Sequence, residues 1–172
     1  MANTYTLIAS NTLSSTAASV TFSSIPGTYT DLVLRFSARH DGASTSPLTT
    51  RVTLNGTTTN YSNTKLLGES TGASSGRDTG LAFLVLNGGA VPGGATSNTF
   101  SNAEIYIPNY TVSQNKPLNY ETGCENNSTL ALNGAIANLW QNTAAITSIA
   151  LFFASGNFVS GSSFFLYGIK NS

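Results

Sequence analysis

Thr28 to Arg39 reads "TYTDLVLRFSAR", and its spacing decides the fold class. Leu32, Leu34, Phe36 and Ala38 fall on one face of an extended chain. Asp31, Val33, Arg35, Ser37 and Arg39 fall on the other. A period of two is that of a strand with one side against a core. "FSNAEIYIPNY" (100–110) repeats it, with Ala103, Ile105 and Ile107 opposed to Glu104 and Tyr106. Pro108 then stops the strand, because it has no N–H for the ladder.

Further strands are expected at Tyr5 to Ala9, Ser19 to Phe22, Thr49 to Leu54, Gly80 to Leu86, Thr129 to Leu132, Ile136 to Leu139, Ile146 to Phe153 and Phe164 to Ile169. Asn55-Gly56 between Thr-rich runs signals a hairpin. Pro26-Gly27 suits a type II turn. "NGGAVPGGATSN" (87–98) is too rich in glycine to hold regular structure and reads as a loop. "NGAIANLWQNTAA" (133–145) fits a helix by its i, i+3, i+4 apolar residues, or a strand and turn; the strand is preferred. Short strands at even spacing make one all-β domain over residues 1–172: an antiparallel β-sandwich, jelly-roll-like.

Composition narrows the function. Only 8 % of the 172 residues are charged, and seven bases cancel seven acids. Nucleic-acid binding, which needs a basic surface, is not expected. Ser and Thr, 47 together, supply the polar surface. Such a near-neutral coat resists association poorly. Cys124 is the sole cysteine, so no intrachain disulfide can form. The start "MANTYTLIAS" lacks the charged and apolar segments of a secretory signal, and no apolar run has the length of a membrane span. Synthesis in a cytoplasm, without membrane association, is the expectation.

Catalytic chemistry finds few residues. His40, followed by Asp41 and Gly42, reads as an exposed loop histidine rather than half of a triad. Cys124 has Glu121 and Glu125 nearby, which raise a thiol pKa where a nucleophile needs it lowered. One Cys and one His cannot hold structural zinc. "CENNST" (124–129) and "ESTGASSGRD" (69–78) offer oxygens for a loop calcium, but not the alternating acids of an EF-hand. Glu121 and Glu125 are the best glycosidase pair, with no element to frame them. No enzyme activity, cofactor or metal is expected. Among the aromatics, Tyr106 reads as surface or interface and Trp140 as core. Tyr110 and Tyr120 are candidates for stacking sugar rings.

The last strand has two apolar faces: Phe164 and Leu166 on one, Phe165, Tyr167 and Ile169 on the other. "SIALFFASG" (148–156) shares the property, with Phe152 opposite Ile149, Leu151 and Phe153. A sandwich's outer face is normally polar, so either a loop of the chain or a neighbouring molecule must cover the second face. Phe152, Phe165, Tyr167 and Ile169 are the expected interface residues, read as one sheet's outer face.

The blocks "TYTLIAS", "VTFSSIPGTYTDLVLRFSAR", "FSNAEIYIPNY", "LWQNTAAITSIAL" and "GNFVSGSSFFLYGIKNS" resemble small structural proteins of tailed-phage virions, notably those of marine and cyanobacterial hosts. The resemblance runs from about Thr4 to the C-terminus and is weakest over Asn55 to Thr99. "IPGTYTDLVLRFSAR" and "FVSGSSFFLYGI" are its most specific parts. It implies a capsid decoration or cement protein: a homotrimer on the virion's outer capsid surface, with the major capsid protein as partner and no catalytic residues. The alternative is a tail-fibre or receptor-binding module that recognises host glycan through Tyr110 and Tyr120.

Overall fold

The computed structural model describes residues 4–46, 48–70, 72–127 and 131–170. Among them are twelve strands and no helix. The strands are β1 (Tyr5–Thr12), β2 (Ser19–Phe22), β3 (Asp31–Ser37), β4 (Leu48–Leu54), β5 (Tyr61–Glu69) and β6 (Gly72–Leu81). They continue with β7 (Leu84–Ala90), β8 (Asn102–Ile107), β9 (Lys116–Cys124), β10 (Leu132–Trp140), β11 (Ile149–Phe152) and β12 (Ser163–Ile169).

Two antiparallel sheets pack face to face. One has the order β1-β12-β3-β8-β9-β10-β5-β6, the other β2-β11-β4-β7. Eight of these strands form a frame: β1-β12-β3-β8 faces β2-β11-β4-β7, and the chain crosses between the sheets as a double Greek key does. That is the jelly-roll arrangement. Two hairpins are inserted into it. β5-β6 lies between β4 and β7 in the chain, β9-β10 between β8 and β11, and together they extend the larger sheet beyond β8.

The frame's core follows from the alternation read in β3. Leu32, Leu34 and Phe36 point inward beside Phe164 and Leu166 of β12 and Ile105 and Ile107 of β8, all buried. Val20, Phe22, Val52, Leu54, Leu84, Leu86, Ile149 and Leu151 meet them from the second sheet. Phe36 stacks on Phe164 with centroids 5.9 Å apart, and Phe158 meets Phe164 edge-on at 5.1 Å. Each such side chain contributes about 1.5–3 kcal/mol through burial. Gly168 lets the Tyr29 ring lie against the backbone of β12; a Cβ there would come within 2.3 Å of that ring. β1 pairs with β12 at the sheet's edge, and the Lys170 N–H reaches the Thr4 carbonyl at 3.4 Å.

The extension is built differently. Asn63 of β5 and Asn138 of β10 are Cα partners, and both are buried. Both amide atoms of Asn63, Oδ1 of Asn138 and Nε1 of Trp140 lack a hydrogen-bond partner. Lys116 is fully buried, and its Nζ donates to the carbonyls of Val112 (2.7 Å), Gln114 (2.5 Å) and Thr143 (3.3 Å). One cation thus ties the loop before β9 to the loop after β10, and its burial lowers the ammonium pKa. Another buried cation, Arg39, organises the loop after β7, donating to the carbonyls of Gly93, Ala95, Thr96 and Thr99 at 2.8–3.0 Å.

Several sequence expectations change. β5, β6 and β9 are strands outside the expected set. The expected strand Gly80 to Leu86 is broken between Leu81, which ends β6, and Leu84, which opens β7. The glycine-rich stretch from Asn87 is not all loop, since residues 87–90 belong to β7. Asn55 and Gly56 do turn, both with positive φ (52° and 66°), but they make no hairpin, because β4 and β5 lie in different sheets. Instead the Asn55 side chain accepts the N–H groups of Thr147 and Ser148 and donates to Ala145 O, which fastens this turn to the β10–β11 loop. Gly27 does not adopt the left-handed φ of a type II turn. Residues 133–140 are strand, as preferred, within β10. Thr129 and Leu130 of the expected strand Thr129 to Leu132 lie outside the described residues.

Candidate functional site

Register places the expected contact residues. On the outer face of the larger sheet, one rung runs Leu7, Tyr167, Val33, Tyr106, Asn119. The next runs Ser10, Phe165, Arg35, Glu104, Glu121. Phe165 and Tyr167 are therefore neighbours on one face and half-buried. Tyr5 and Leu7, at the β1 edge beside them, are 49 % and 52 % exposed. Tyr5 meets Tyr167 edge-on at 6.4 Å, and the Arg35 guanidinium lies 5.7 Å over the Tyr5 ring. Arg35 also donates to Glu104 at 2.6 Å.

This patch is partly covered by its own chain. Val33 sits between Tyr167 and Tyr106 on its rung and is buried despite facing outward. Ile169 is 6 % exposed, so it offers a partner almost nothing. Asp31, its Cα partner, is buried and accepts the Tyr106 hydroxyl (2.8 Å) and the Asn109 N–H (2.9 Å). The bond to Asp31 raises the Tyr106 phenol pKa. The surface reading of Tyr106 holds in part: it is half-buried on the outer face.

Phe152 does not join them. β11 belongs to the smaller sheet, so the outward side chain of Phe152 lies on the opposite side of the sandwich. There it meets Phe83 edge-on at 6.2 Å, and the Arg51 guanidinium lies 4.3 Å over Phe83. One expected surface is thus two aromatic clusters on opposite outer faces. The residues that sequence reasoning missed, Tyr5, Leu7 and Phe83, come from an edge strand and a turn. Their only sequence signal was an aromatic or leucine at an outward position.

The candidate chemical residues are held in structural contacts. His40 is buried, which corrects the exposed-loop reading. Its Nδ1 accepts the Gly42 N–H at 2.7 Å, so Nε2 carries the proton and donates to Ser155 O at 2.8 Å. Phe153 packs edge-on against it at 4.5 Å. Gly156 (φ +78°) leaves the room this ring occupies: a Cβ would stand 2.3 Å from Nε2. Asp41 accepts the backbone and side-chain N–H groups of Asn157, which lower its pKa. Cys124 ends β9, buried, and its thiol is pushed up to about 11 by burial and then by Glu125.

Glu121 faces outward on β9 opposite Glu104 on β8, not toward Glu125, which accepts the Asn127 N–H. Tyr110 and Tyr120 are fully buried, so neither is a stacking platform. Burial raises both phenols, and the Tyr120 hydroxyl is 3.2 Å from Asn87 O. Trp140 is core, as expected. Of the two oxygen-rich stretches, 72–78 is strand β6 rather than loop, and Ser128 and Thr129 lie outside the described residues. Among the described residues, no three of His, Cys, Asp and Glu come together. No protein-family model, curated protein or solved structure matches this chain.

Proposed function

We propose that this chain is a structural protein of a tailed-phage virion, a decoration or cement protein bound to the outer surface of the capsid. The observation that carries the reading is the pair of aromatic clusters on opposite outer faces: Tyr5, Leu7, Phe165 and Tyr167 on one, Phe83 and Phe152 on the other. A molecule that bridges neighbours needs two separate contact surfaces, and exposed apolar patches mark such surfaces. The resemblance of "IPGTYTDLVLRFSAR" and "FVSGSSFFLYGI" to phage virion proteins supplies the partner, the major capsid protein, and the homotrimer. In this reading the larger sheet's cluster is the trimer or capsid contact, and the chain does no catalysis. The receptor-binding alternative rested on Tyr110 and Tyr120, and their burial leaves it without a named contact.

The test is assembly. Phe165→Ser with Tyr167→Ser should abolish oligomers and capsid binding while the β-type circular dichroism persists. Continued assembly of that folded variant would remove the contact. Quantitative mass spectrometry of virions then gives copies per capsid protein. Comparable numbers support decoration, and tail-component numbers overturn it.

A further inference from the structure

The smaller sheet's outer face carries a second feature, beside the Phe83–Phe152 cluster. Thr49 and Arg51 of β4 and Val85 of β7 form the floor of a cleft of about 380 Å³ on its outer face. Phe83 walls one side. Phe153, Ala154, Ser155 and the edge of His40 wall the other. The volume falls within the range of small-ligand sites.

Arg51 is the unusual member. It is half-buried, its guanidinium lies 4.3 Å over Phe83, and it makes no ion pair or hydrogen bond among the described residues. The stacking presents its fork of N–H donors at a fixed angle. Beside it, the Thr49 hydroxyl accepts weakly from Asn87 Nδ2 at 3.5 Å, which leaves its own proton free to donate. Asp41, next to His40, does not compete for Arg51, because Asn157 engages both of its oxygens. Both nitrogens of His40 are engaged as well, so its ring adds only an apolar wall.

From this geometry we infer that the Arg51 cleft binds a carboxylate carried on a short apolar body. The carboxylate takes the guanidinium fork and the Thr49 hydroxyl, and the apolar body packs on Phe83, Val85 and Phe153. A phenyl or branched aliphatic group fits those walls. The carboxylate belongs either to a free organic acid or to an acidic side chain of a bound polypeptide.

The test uses the whole chain, with NMR shifts of the Arg51 Nε–H and the Thr49 amide as readouts. The probes are 3-phenylpropionate, its neutral amide 3-phenylpropionamide, and the blocked dipeptide acetyl-Phe-Glu-amide. The free acid or the dipeptide should saturate, and the neutral amide should bind at least about tenfold more weakly, since a charged bidentate pair is lost. Arg51→Met should weaken the binding by about tenfold or more, and Arg51→Lys by less. Thr49→Val, which leaves the Arg51–Phe83 stack intact, gives a second check should Arg51→Met fold poorly. A tighter dipeptide assigns the site to a polypeptide partner; a tighter free acid assigns it to a small molecule. Equal binding of acid and neutral amide, no loss in either variant, or no saturation by either carboxylate would overturn the inference.

Discussion

The frame and the extension share one sheet but are held by different physics. In the frame, β3 and β12 put Leu34, Phe36, Phe164 and Leu166 into a closed apolar core. In the extension, β5 and β10 turn Asn63 and Asn138 toward the interior with amide atoms unpartnered, and Lys116 is buried against carbonyls. Burial of apolar area is favourable wherever it occurs. Burial of polar groups costs free energy unless every donor and acceptor is met. The inward positions of β3 and β12 are thus apolar throughout, while those of the extension mix buried apolar side chains such as Leu67, Leu118, Ile136 and Trp140 with polar groups whose burial costs free energy.

The largest expected effect tests that division. Phe164→Ala removes a ring that touches both Phe36 and Phe158, and it should cost about 3–5 kcal/mol in urea unfolding. A loss below about 1 kcal/mol would mean the frame core repacks freely. Next comes the alkaline limb. Burial raises the Cys124 thiol from 9.0 to about 11, so above pH 9 the folded chain keeps a proton that the unfolded chain releases. Stability is full below pH 9 and falls as pH rises toward 11, by about 2–3 kcal/mol from this group. Comparing the pH dependence of Cys124→Ala with the parent chain isolates that share from the tyrosines, and an unchanged slope would refute it. The smallest effect is the sharpest. Asn63→Leu should be neutral or stabilising by up to about 1 kcal/mol, because it removes two unmet polar atoms. Marked destabilisation would show that the amide of Asn63 finds partners in solution, and the contrast between the two regions would dissolve.

The same division explains what could be read from the chain. All eight frame strands were legible at least in part, because a face packed on an apolar core forces alternation, as in Leu32, Leu34 and Phe36. β5 (YSNTKLLGE) and β6 (GASSGRDTGL) show no such alternation of apolar side chains, and in β9 (KPLNYETGC) the alternation of Leu118, Tyr120 and Cys124 is interrupted by the inward Lys116 and Thr122. Their inward positions include asparagine and lysine, β6 is an exposed edge of small residues, and Pro117 near the start of β9 looks like a breaker. Their strand character comes from pairing with neighbours, including the Lys65–Asp78 bridge at 2.9 Å, and pairing is not a local property.

The site divides likewise. Phe165 and Tyr167 were found because both faces of β12 are apolar. The sheet to which β11 belongs depends on the crossing of the jelly roll, so nothing near Phe152 could place it opposite them. Arg51 and Phe83 meet across β4 and β7 only because the whole β5–β6 hairpin is looped out between them, which no short window can show.

The hydrogen bond from Lys170 to Thr4 brings the two limits of the described chain together at one corner of the sheet, beside Tyr5 and Tyr167. Any passenger fused ahead of Thr4 or after Lys170 would emerge from that same corner. If the aromatic patch there is buried in assembly, a bulky fusion at either limit should act as a plug that blocks docking, and a long flexible tether would relieve it.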